Sequence, residues 1–303
     1  MLSGIVNVYK EAGYTSHDVV AKMRGIFSQR KIGHTGTLDP DAVGVLPVCL
    51  GKATKVCDLI TEKDKEYECT LLLGTSTDTQ DISGEVLRTN EVNSDEDSIR
   101  NAILSFVGRY DQIPPMYSAL KVNGKKLYDL ARQGIEVERK LRTVYINQIE
   151  ILNIEVPEIT MRVSCSKGTY IRTLCNDIGE ALGCGGCMKD LIRTKAAGFF
   201  IDQSLTLKEI ETIVKAGEVN KILLPIDTVF PNHKKLYVCG EAAKLLYNGN
   251  RLPMDFFKNL DENTLNEDEA VCVYSQENQF AGVYIWQKKN TDFKPVKLFI
   301  EKD

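Results

Sequence analysis

Two hydrophobic periodicities occur in separate segments of this chain, and together they restrict it to a mixed α+β fold. Apolar residues three or four positions apart, the spacing of amphipathic helices, occur at 16–28, 95–107, 170–182 and 206–216. Strand-like segments occur at 66–73, 143–154 and 158–165, and the last of them shows strict apolar–polar alternation. We expect Ser16 and Ser94 to cap the first two helices, because a serine hydroxyl accepts a hydrogen bond from the first helical turn.

The charge of the chain is unevenly distributed. The formal net charge is −4 and the pI is about 5.6, so the overall charge does not by itself indicate a nucleic-acid-binding protein. Acidic residues cluster at 91–97 and 261–269, whereas basic residues cluster at 121–126 and 132–142. A basic surface for RNA can therefore coexist with acidic surface elsewhere.

Cysteine usage and hydropathy predict a cytoplasmic protein. The nine cysteines are odd in number and lie mostly in apolar stretches, which is typical of reduced thiols. The first ten residues lack the features of a signal peptide, and no apolar run approaches the roughly 20 residues of a membrane-spanning helix. The C-G-G-C sequence at 184–187 has no second Cys/His pair at a suitable spacing, so we do not expect a metal site there.

The chain is predicted to contain two domains and one long insertion. Residues 108–141 are polar and basic, and Pro114-Pro115 interrupts regular structure, so we predict a mobile flap that faces RNA. The F-P-N-H-K-K sequence at 230–235 is typical of a boundary, which separates residues 1–232 from a small β-rich unit at 236–303. In this unit we predict a short helix near 240–248 and strands near 271–274, 280–287 and 296–300.

Residues 31–55 are rich in glycine and proline and are predicted to have an irregular backbone. Gly33, Gly36 and Gly44 would allow a ligand or nucleic-acid backbone to come close. Asp39 precedes Pro40, which disfavours the helical conformation at Asp39; an arbitrary Asp-Pro pair is most often a simple turn. A phosphate-binding loop is excluded, because the position five residues before Gly51 is a leucine and Ala53 follows Lys52.

Seven sequence blocks, in order along the chain, resemble the TruB family of tRNA pseudouridine synthases. The blocks are G-H-T-G-T-L-D-P at 33–40, G-V-L-P-V-C-L-G-K-A-T-K at 44–55, K-E-Y at 65–67, T-D-T-Q-D-I-S-G at 77–84, P-P-M-Y-S-A-L-K-V-N-G-K-K-L-Y-D-L-A-R at 114–132, C-S-K-G-T-Y-I-R-T-L at 165–174 and M-K-D-L-I-R-T at 188–194. The resemblance implies a mixed, mainly antiparallel sheet in the catalytic domain. More faintly, residues 236–303 resemble a PUA-type RNA-binding module.

The resemblance also implies an activity: isomerisation of uridine 55 in the T loop of tRNA to pseudouridine, by an aspartate and without a cofactor. The catalytic residues would be Asp39, Tyr67 and Arg172, with the guanidinium holding the carboxylate ionised and the tyrosine ring stacking on the uracil. The pKa of Asp39 would not need a large shift, because an aspartate with an ordinary pKa is already ionised at pH 7.

Four further residues would bind the substrate or support the site, on the same resemblance. His34 would fill the space left by the flipped base, Leu191 would form the floor of the pocket, and Tyr170 would lie beside it. Asp81 would hold either Arg172 or nearby polar groups in place. Outside these blocks, Leu191 and Tyr67 are equally consistent with an ordinary hydrophobic core, and Arg172 with a surface salt bridge.

Two other classes of function require different sequence features. A non-catalytic tRNA chaperone would need the RNA-binding surface but not the set of Asp39, Tyr67 and Arg172, and one chain could combine both activities. A nucleotide-hydrolysing enzyme is disfavoured by the failed phosphate-loop spacing. The expected partner is therefore tRNA, bound by a monomer at its T arm and T loop, with no membrane contact.

Overall fold

The computed structural model describes residues 1–118, 120–122, 124–239, 242–258 and 260–300. The described strands are, in chain order, β1 (Gly4–Lys10), β2 (Ile32–His34), β3 (Val43–Leu50), β4 (Lys65–Leu73), β5 (Thr75–Thr77), β6 (Val86–Thr89), β7 (Gly108–Gln112), β8 (Lys121–Val122), β9 (Lys125–Lys126), β10 (Arg142–Glu155), β11 (Glu158–Cys165), β12 (Gly186–Ala196), β13 (Phe199–Phe200), β14 (Lys234–Tyr237), β15 (Leu252–Pro253), β16 (Ala270–Tyr274), β17 (Phe280–Gln287) and β18 (Asp292–Leu298). The described α-helices are α1 (Ser16–Ile26), α2 (Cys57–Thr61), α3 (Glu96–Leu104), α4 (Leu127–Ala131), α5 (Ile171–Ala181), α6 (Leu207–Lys215) and α7 (Ala242–Tyr247).

One large sheet organises residues 1–230. Its strands lie in the order β1-β3-β12-β4-β11-β10-β7, with β2 beside β3 and β13 beside β12. Every neighbouring pair is antiparallel except β3 and β12, which run parallel. The parallel pairing brings the start of β3, just after Asp39, beside Ile192 and Arg193 of β12. The predicted mixed, mainly antiparallel architecture is therefore observed.

The large sheet is covered differently along its width. At the β4–β11–β10 end, α3 and α5 pack on one face, and their apolar residues form a core with the inward residues of the strands. The alternation predicted for β11 is observed, with Ile159, Met161, Val163 and Cys165 buried. At the other end, β3 is buried on both faces: Leu46 packs towards α1 and α6, whereas Val45 packs towards the C-terminal unit. A strand buried on both faces carries a continuous apolar run rather than an alternation, so its pattern gave no strand signal.

The predicted irregular backbone at 31–55 is wrong for much of that segment. Strands β2 and β3 and a 3-10 turn at 51–56 occupy it, and only the stretch between β2 and β3 is irregular. Gly44, with φ of 105°, serves a contact within the protein, because an added Cβ would lie 2.3 Å from the Arg193 carbonyl oxygen. The close approach predicted at this glycine is thus made by β12.

Both predicted helix caps are wrong by one residue. Thr15 caps α1, since its side chain accepts from the Asp18 amide and the Asp18 carboxylate accepts from the Thr15 amide. Asp95, not Ser94, caps α3. Ser16 is instead buried against the segment that carries Asp39.

The predicted flap begins later than residue 108. Residues Gly108–Gln112 form β7, an edge strand of the large sheet paired with β10. After Pro114-Pro115 the chain forms the short β8–β9 hairpin and α4; Ala119 and Asn123 of the predicted flap lie outside the described residues. We therefore use "flap" below for residues 114–141.

The C-terminal residues form a second sheet, in the order β14-β16-β17-β18-β15, around an apolar core that includes Trp286 and Phe293. Its first strand begins at Lys234, within the predicted boundary segment. The predicted positions 240, 241 and 301–303 lie outside the described residues. Cys272 and Val283 of this unit share a core with Val45 and Phe199 of the large sheet, so the two units are packed together.

Candidate active site

The backbone around Asp39 is held on both sides. The amide of Leu38 donates to the buried hydroxyl of Ser16 at 2.9 Å. The carbonyl of Pro40 accepts from Lys10 Nζ at 2.9 Å and from the Gly13 amide at 3.0 Å. Asp39 therefore lies in a loop without regular structure but with a fixed backbone.

Arg172 lies between two carboxylates. From the first turn of α5, its Nε is 3.3 Å from Asp39 Oδ2 and its Nη1 is 3.0 Å from Asp81 Oδ2. The guanidinium also donates to the carbonyls of Thr79 at 3.3 Å and Tyr117 at 2.9 Å. Arg172 is only 6% exposed. A planar guanidinium with three hydrogen-bond acceptors has a fixed orientation, and its ion pair with Asp39 favours one direction of that carboxylate.

Asp39 is exposed enough to meet a ligand but is still partly desolvated. The Asp39 side chain is 42% exposed, although protein atoms surround it on most sides. This desolvation raises the pKa of Asp39, and the positive charge of Arg172 opposes the rise. No sequence pattern indicated this upward shift. Burial also tends to raise the pKa of Asp81, but hydrogen bonds from Ser83 and Thr79 outweigh it and lower that pKa.

Tyr67 lies in β4 opposite Arg193 of β12 and packs against the α5 side of the sheet. Burial raises the pKa of its hydroxyl, and the positive charge of Arg193 opposes the rise. Arg193 is 1% exposed and donates to the carbonyls of Val45 at 2.6 Å and Gly36 at 3.4 Å. This arginine therefore ties β3 and the Asp39 loop to the strand that carries Tyr67.

Leu191 and Tyr170 border the same region. Leu191 pairs with Cys69, two residues from Tyr67 in β4, so both side chains lie on one face of the sheet. Tyr170 precedes α5, and the buried Gln112 side chain accepts from its amide at 2.8 Å and donates to its carbonyl at 3.4 Å. These hydrogen bonds fix the start of the helix that carries Arg172.

His34 lies at the edge of this group. Its ring makes an edge-to-face contact with His17, with centroids 5.2 Å apart, and its Nδ1 accepts from the Gly36 amide at 3.4 Å. Burial, helped by repulsion from His17, lowers the pKa of His34. His34 contacts His17 and Gly36 rather than Asp39 or Arg172, so it is a neighbour of the ion pair rather than a member of it.

Sequence reasoning missed four residues that support the site: Ser16, Lys10, Arg193 and Gln112. Their roles depend on contacts with residues distant in the sequence. Ser16 and Lys10 hold the two sides of Asp39, and burial lowers the pKa of Lys10 to about 8. Only Arg193 carried a signal, because it lies in the last of the seven blocks that resemble the family, at 188–194.

Two other features do not form a competing site. A cavity of about 530 Å³ lies on the opposite face of the sheet, where Glu66, Glu68 and Glu150 line it and make it unsuitable for RNA. Cys184 and Cys187 are buried free thiols. Within the described ranges, no group of three or more His, Cys, Asp or Glu side chains is arranged to hold a metal ion, and no helix is long and apolar enough to cross a membrane.

Comparison with known proteins identifies the family. The profile "TruB family pseudouridylate synthase (N terminal domain)" matches residues 24–171, and "tRNA pseudouridylate synthase B C-terminal domain" matches residues 172–230. The chain belongs to the TruB family of pseudouridylate synthases. A tRNA pseudouridine synthase B from Lachnoclostridium phytofermentans is 54% identical, covering 99% of this chain and all of the relative. One from Alkaliphilus oremlandii is 47% identical, covering 98% of this chain and 97% of the relative.

Solved structures extend the likeness of this TruB-family chain to its three-dimensional fold. A chain from an H/ACA RNP bound to a substrate RNA containing 2′-deoxyuridine has a TM-score of 0.73 and 25% identity, covering 99% of this chain and 86% of that one. A chain from a Cbf5-Nop10-Gar1 complex has a TM-score of 0.72 and 26% identity, covering 98% and 85%. The predicted family, fold class and enzyme class, an isomerase, are thereby confirmed.

Proposed function

We propose that this TruB-family chain converts uridine 55, in the T loop of tRNA, into pseudouridine after turning the base out of the loop. The observation that carries the proposal is the position of Asp39, which is partly exposed and paired with a buried arginine at 3.3 Å. The names of its relatives, tRNA pseudouridine synthase B, support tRNA as the substrate.

The reaction needs little from the protein beyond an ionised carboxylate and a way to hold the uracil. The N1–C1′ bond breaks, the base rotates, C5 bonds to C1′, and the proton that leaves C5 is balanced by one gained at N1. No atom or electron enters from outside. Attack at C6, attack at C1′ and removal of the C2′ proton all require the ionised form of Asp39, and the positive charge of Arg172 favours that form.

We propose that the Tyr67 ring stacks on the target uracil and that Leu191 supports the base from the same sheet face. The Tyr67 hydroxyl is also a candidate for removing the C5 proton. It can accept that proton only as a phenolate, after it has lost its own proton. Burial raises the pKa of Tyr67, so the phenolate is disfavoured at neutral pH. Tyr170 would complete the apolar wall, while Asp81 holds Arg172 in place.

RNA binding would use surfaces on both sides of the ion pair. His34, with His17 beside it, would fill the space of the extruded base and recover part of the few kcal/mol that unstacking costs. The flap would close over the RNA with exposed cations such as Lys125 and Lys140. We propose that residues 236–303 form the PUA-like second RNA contact and that the enzyme acts as a monomer in the cytoplasm.

A tRNA-refolding activity without chemistry is the second candidate, and the basic flap supports it. A pure binder has no use for a partly desolvated aspartate aligned by an arginine, so this activity would accompany the chemistry rather than replace it. Wild type should release tritium from a tRNA transcript labelled with 5-³H-uridine, in an amount of one uridine per tRNA. Asp39→Asn should release none and still bind tRNA. Absence of release by wild type, or normal release by the variant, would overturn the proposal.

A further inference from the structure

The loop that faces Arg172 contains a residue in an unusual conformation. Gln80 has φ of +65°, in the left-handed region that residues other than glycine, asparagine and aspartate rarely adopt. It lies between Thr79, whose carbonyl accepts from Arg172, and Asp81, whose carboxylate forms the ion pair. The left-handed turn at Gln80 is therefore what directs both acceptors towards the same guanidinium.

The conformation of Gln80 is held by the residue next to Arg172. Thr173, which is 2% exposed, donates its hydroxyl proton to Gln80 Oε1 at 2.8 Å. The Gln80 carbonyl also accepts from the Met188 amide of β12 at 3.0 Å. Consecutive residues of α5 thus hold alternate positions of one loop: Arg172 contacts Thr79 and Asp81, and Thr173 contacts Gln80.

We propose that Thr173 and Gln80 are a positioning pair for the proposed isomerisation: their hydrogen bond sets where the Arg172 guanidinium meets Asp39. Thr173 and Gln80 contact each other and the loop that binds Arg172 rather than Asp39, so the pair acts only through Arg172. Without the Thr173 hydroxyl, the Gln80 side chain loses its anchor, and its strained left-handed conformation is held by backbone contacts alone. A shift of this turn displaces Thr79 and Asp81, which accept two of the three hydrogen bonds of the guanidinium, and so changes its orientation towards Asp39.

A purely structural hydrogen bond would affect stability but not the protonation of Asp39, so the pH profile separates the two roles. Arg172 and, more weakly, Lys10 oppose the upward pKa shift of Asp39, whereas Asp81 and Asp41 add to it, each by less than Arg172 opposes it. If Arg172 becomes misaligned, the pKa of Asp39 rises further, and activity is lost at a higher pH as the solution is acidified. The acid limb of the kcat/KM profile therefore reports on the positioning.

The test compares Thr173→Val, which removes the hydroxyl at similar volume, with Thr173→Ser, which keeps it. We expect Thr173→Val to lower kcat at least tenfold, to leave the Kd for tRNA within twofold, and to move the acid limb to higher pH. Thr173→Ser should have the kcat and the acid limb of wild type. Thr194→Val is the matched control, because Thr194 makes a similar 2.8 Å hydrogen bond to Glu66 on the opposite sheet face. It should leave kcat and the acid limb unchanged.

Gln80→Met provides a second variant, because it removes the Oε1 acceptor at similar volume and, unlike glycine, remains strained in the left-handed region. It should also move the acid limb to higher pH. A wild-type acid limb in Thr173→Val, or in Gln80→Met should Thr173→Val not fold, would overturn the inference, as would failure of Thr173→Ser to restore the profile. These outcomes require an active wild-type enzyme, whereas a wild type that forms no pseudouridine would overturn the proposed function itself.

Discussion

Replacing Asp39 by asparagine should abolish activity and yet stabilise the fold at neutral pH. Asp39 and Asp81 share one guanidinium, so the three charges sum to −1. At 3.3 Å and an effective dielectric constant near 20, the attraction between Asp39 and Arg172 is about 5 kcal/mol. The pKa of Asp39 is nevertheless raised, so desolvation and repulsion from Asp81 together exceed this attraction. The ionised side chain therefore costs folding free energy.

The size and pH dependence of the effect follow from this balance. Because Asp39 is 42% exposed, screening by solvent reduces the gain in the variant to about 0.5–1 kcal/mol, or about 1–3 °C in Tm. A raised pKa means that the folded state binds the proton more tightly than the unfolded state. The cost is therefore absent below the unfolded pKa of about 3.9 and develops as pH rises through the folded pKa.

Thermal unfolding of wild type and Asp39→Asn at pH 7.5 and pH 3.5 tests this balance. The variant should have the higher Tm at pH 7.5, and the difference should shrink at pH 3.5, where the carboxyl is largely protonated in the unfolded state as well. Asp41→Asn is the matched control, because Asp41 is an exposed neighbour whose loss should change Tm little and preserve activity. A variant that is less stable than wild type at pH 7.5, or a gain that is equal at both pH values, would refute the balance of charges described here.

Four further results are expected. Arg172→Lys should lower kcat/KM by about 10²-fold or more, since an ammonium cannot reproduce the planar fork, and steady-state tritium release near the wild-type rate would contradict this. Burial lowers the pKa of Lys10 to about 8, so the unfolding free energy of wild type relative to Lys10→Met should rise between pH 8 and 10, where only the unfolded state keeps the proton; urea titrations giving a constant difference would refute it. Lys125→Glu should weaken tRNA binding and reduce its salt dependence, whereas an unchanged slope of log Kd against log salt would show that the flap does not meet phosphate. His34→Ala should lower kcat/KM with 5-³H-uridine tRNA while leaving Tm within about 2 °C, and an unchanged kcat/KM would show that the ring does not assist base extrusion.

Much of the fold was predictable where the signal is local. The helix that carries Arg172 has apolar residues at helical spacing, and β11 alternates strictly, so both were located within one or two residues. By contrast, β1 and β3 were missed, because strands buried on both faces lack alternation. The choice between Thr15 and Ser16 as the cap was also beyond local rules, since both side chains are suitable and a tertiary contact with Leu38 decides it.

The residues of the candidate site also divide into those that sequence motifs mark and those whose roles depend on distant contacts. Asp39, Tyr67 and Arg172 were found because ordered motifs mark them, although the roles assigned to them stay predictions. The sequence did not reveal that burial raises the pKa of Asp39, because desolvation depends on packing between distant segments. Arg193 contacts residues about 150 positions away in the sequence, and no local pattern reports such a contact. Contacts between distant segments therefore account for most of what the sequence left undetermined.

The central claim is that the aligned carboxylate of Asp39 isomerises one T-loop uridine without help from any other component. Site-resolved mapping of pseudouridine in an unmodified tRNA transcript, after incubation with the purified chain alone, tests it most directly. We expect the wild-type protein to form one new pseudouridine, at uridine 55, and the Asp39→Asn variant to form none, at protein concentrations where both bind the transcript. Modification by the variant, or an unmodified T loop after incubation with bound wild type, would contradict it.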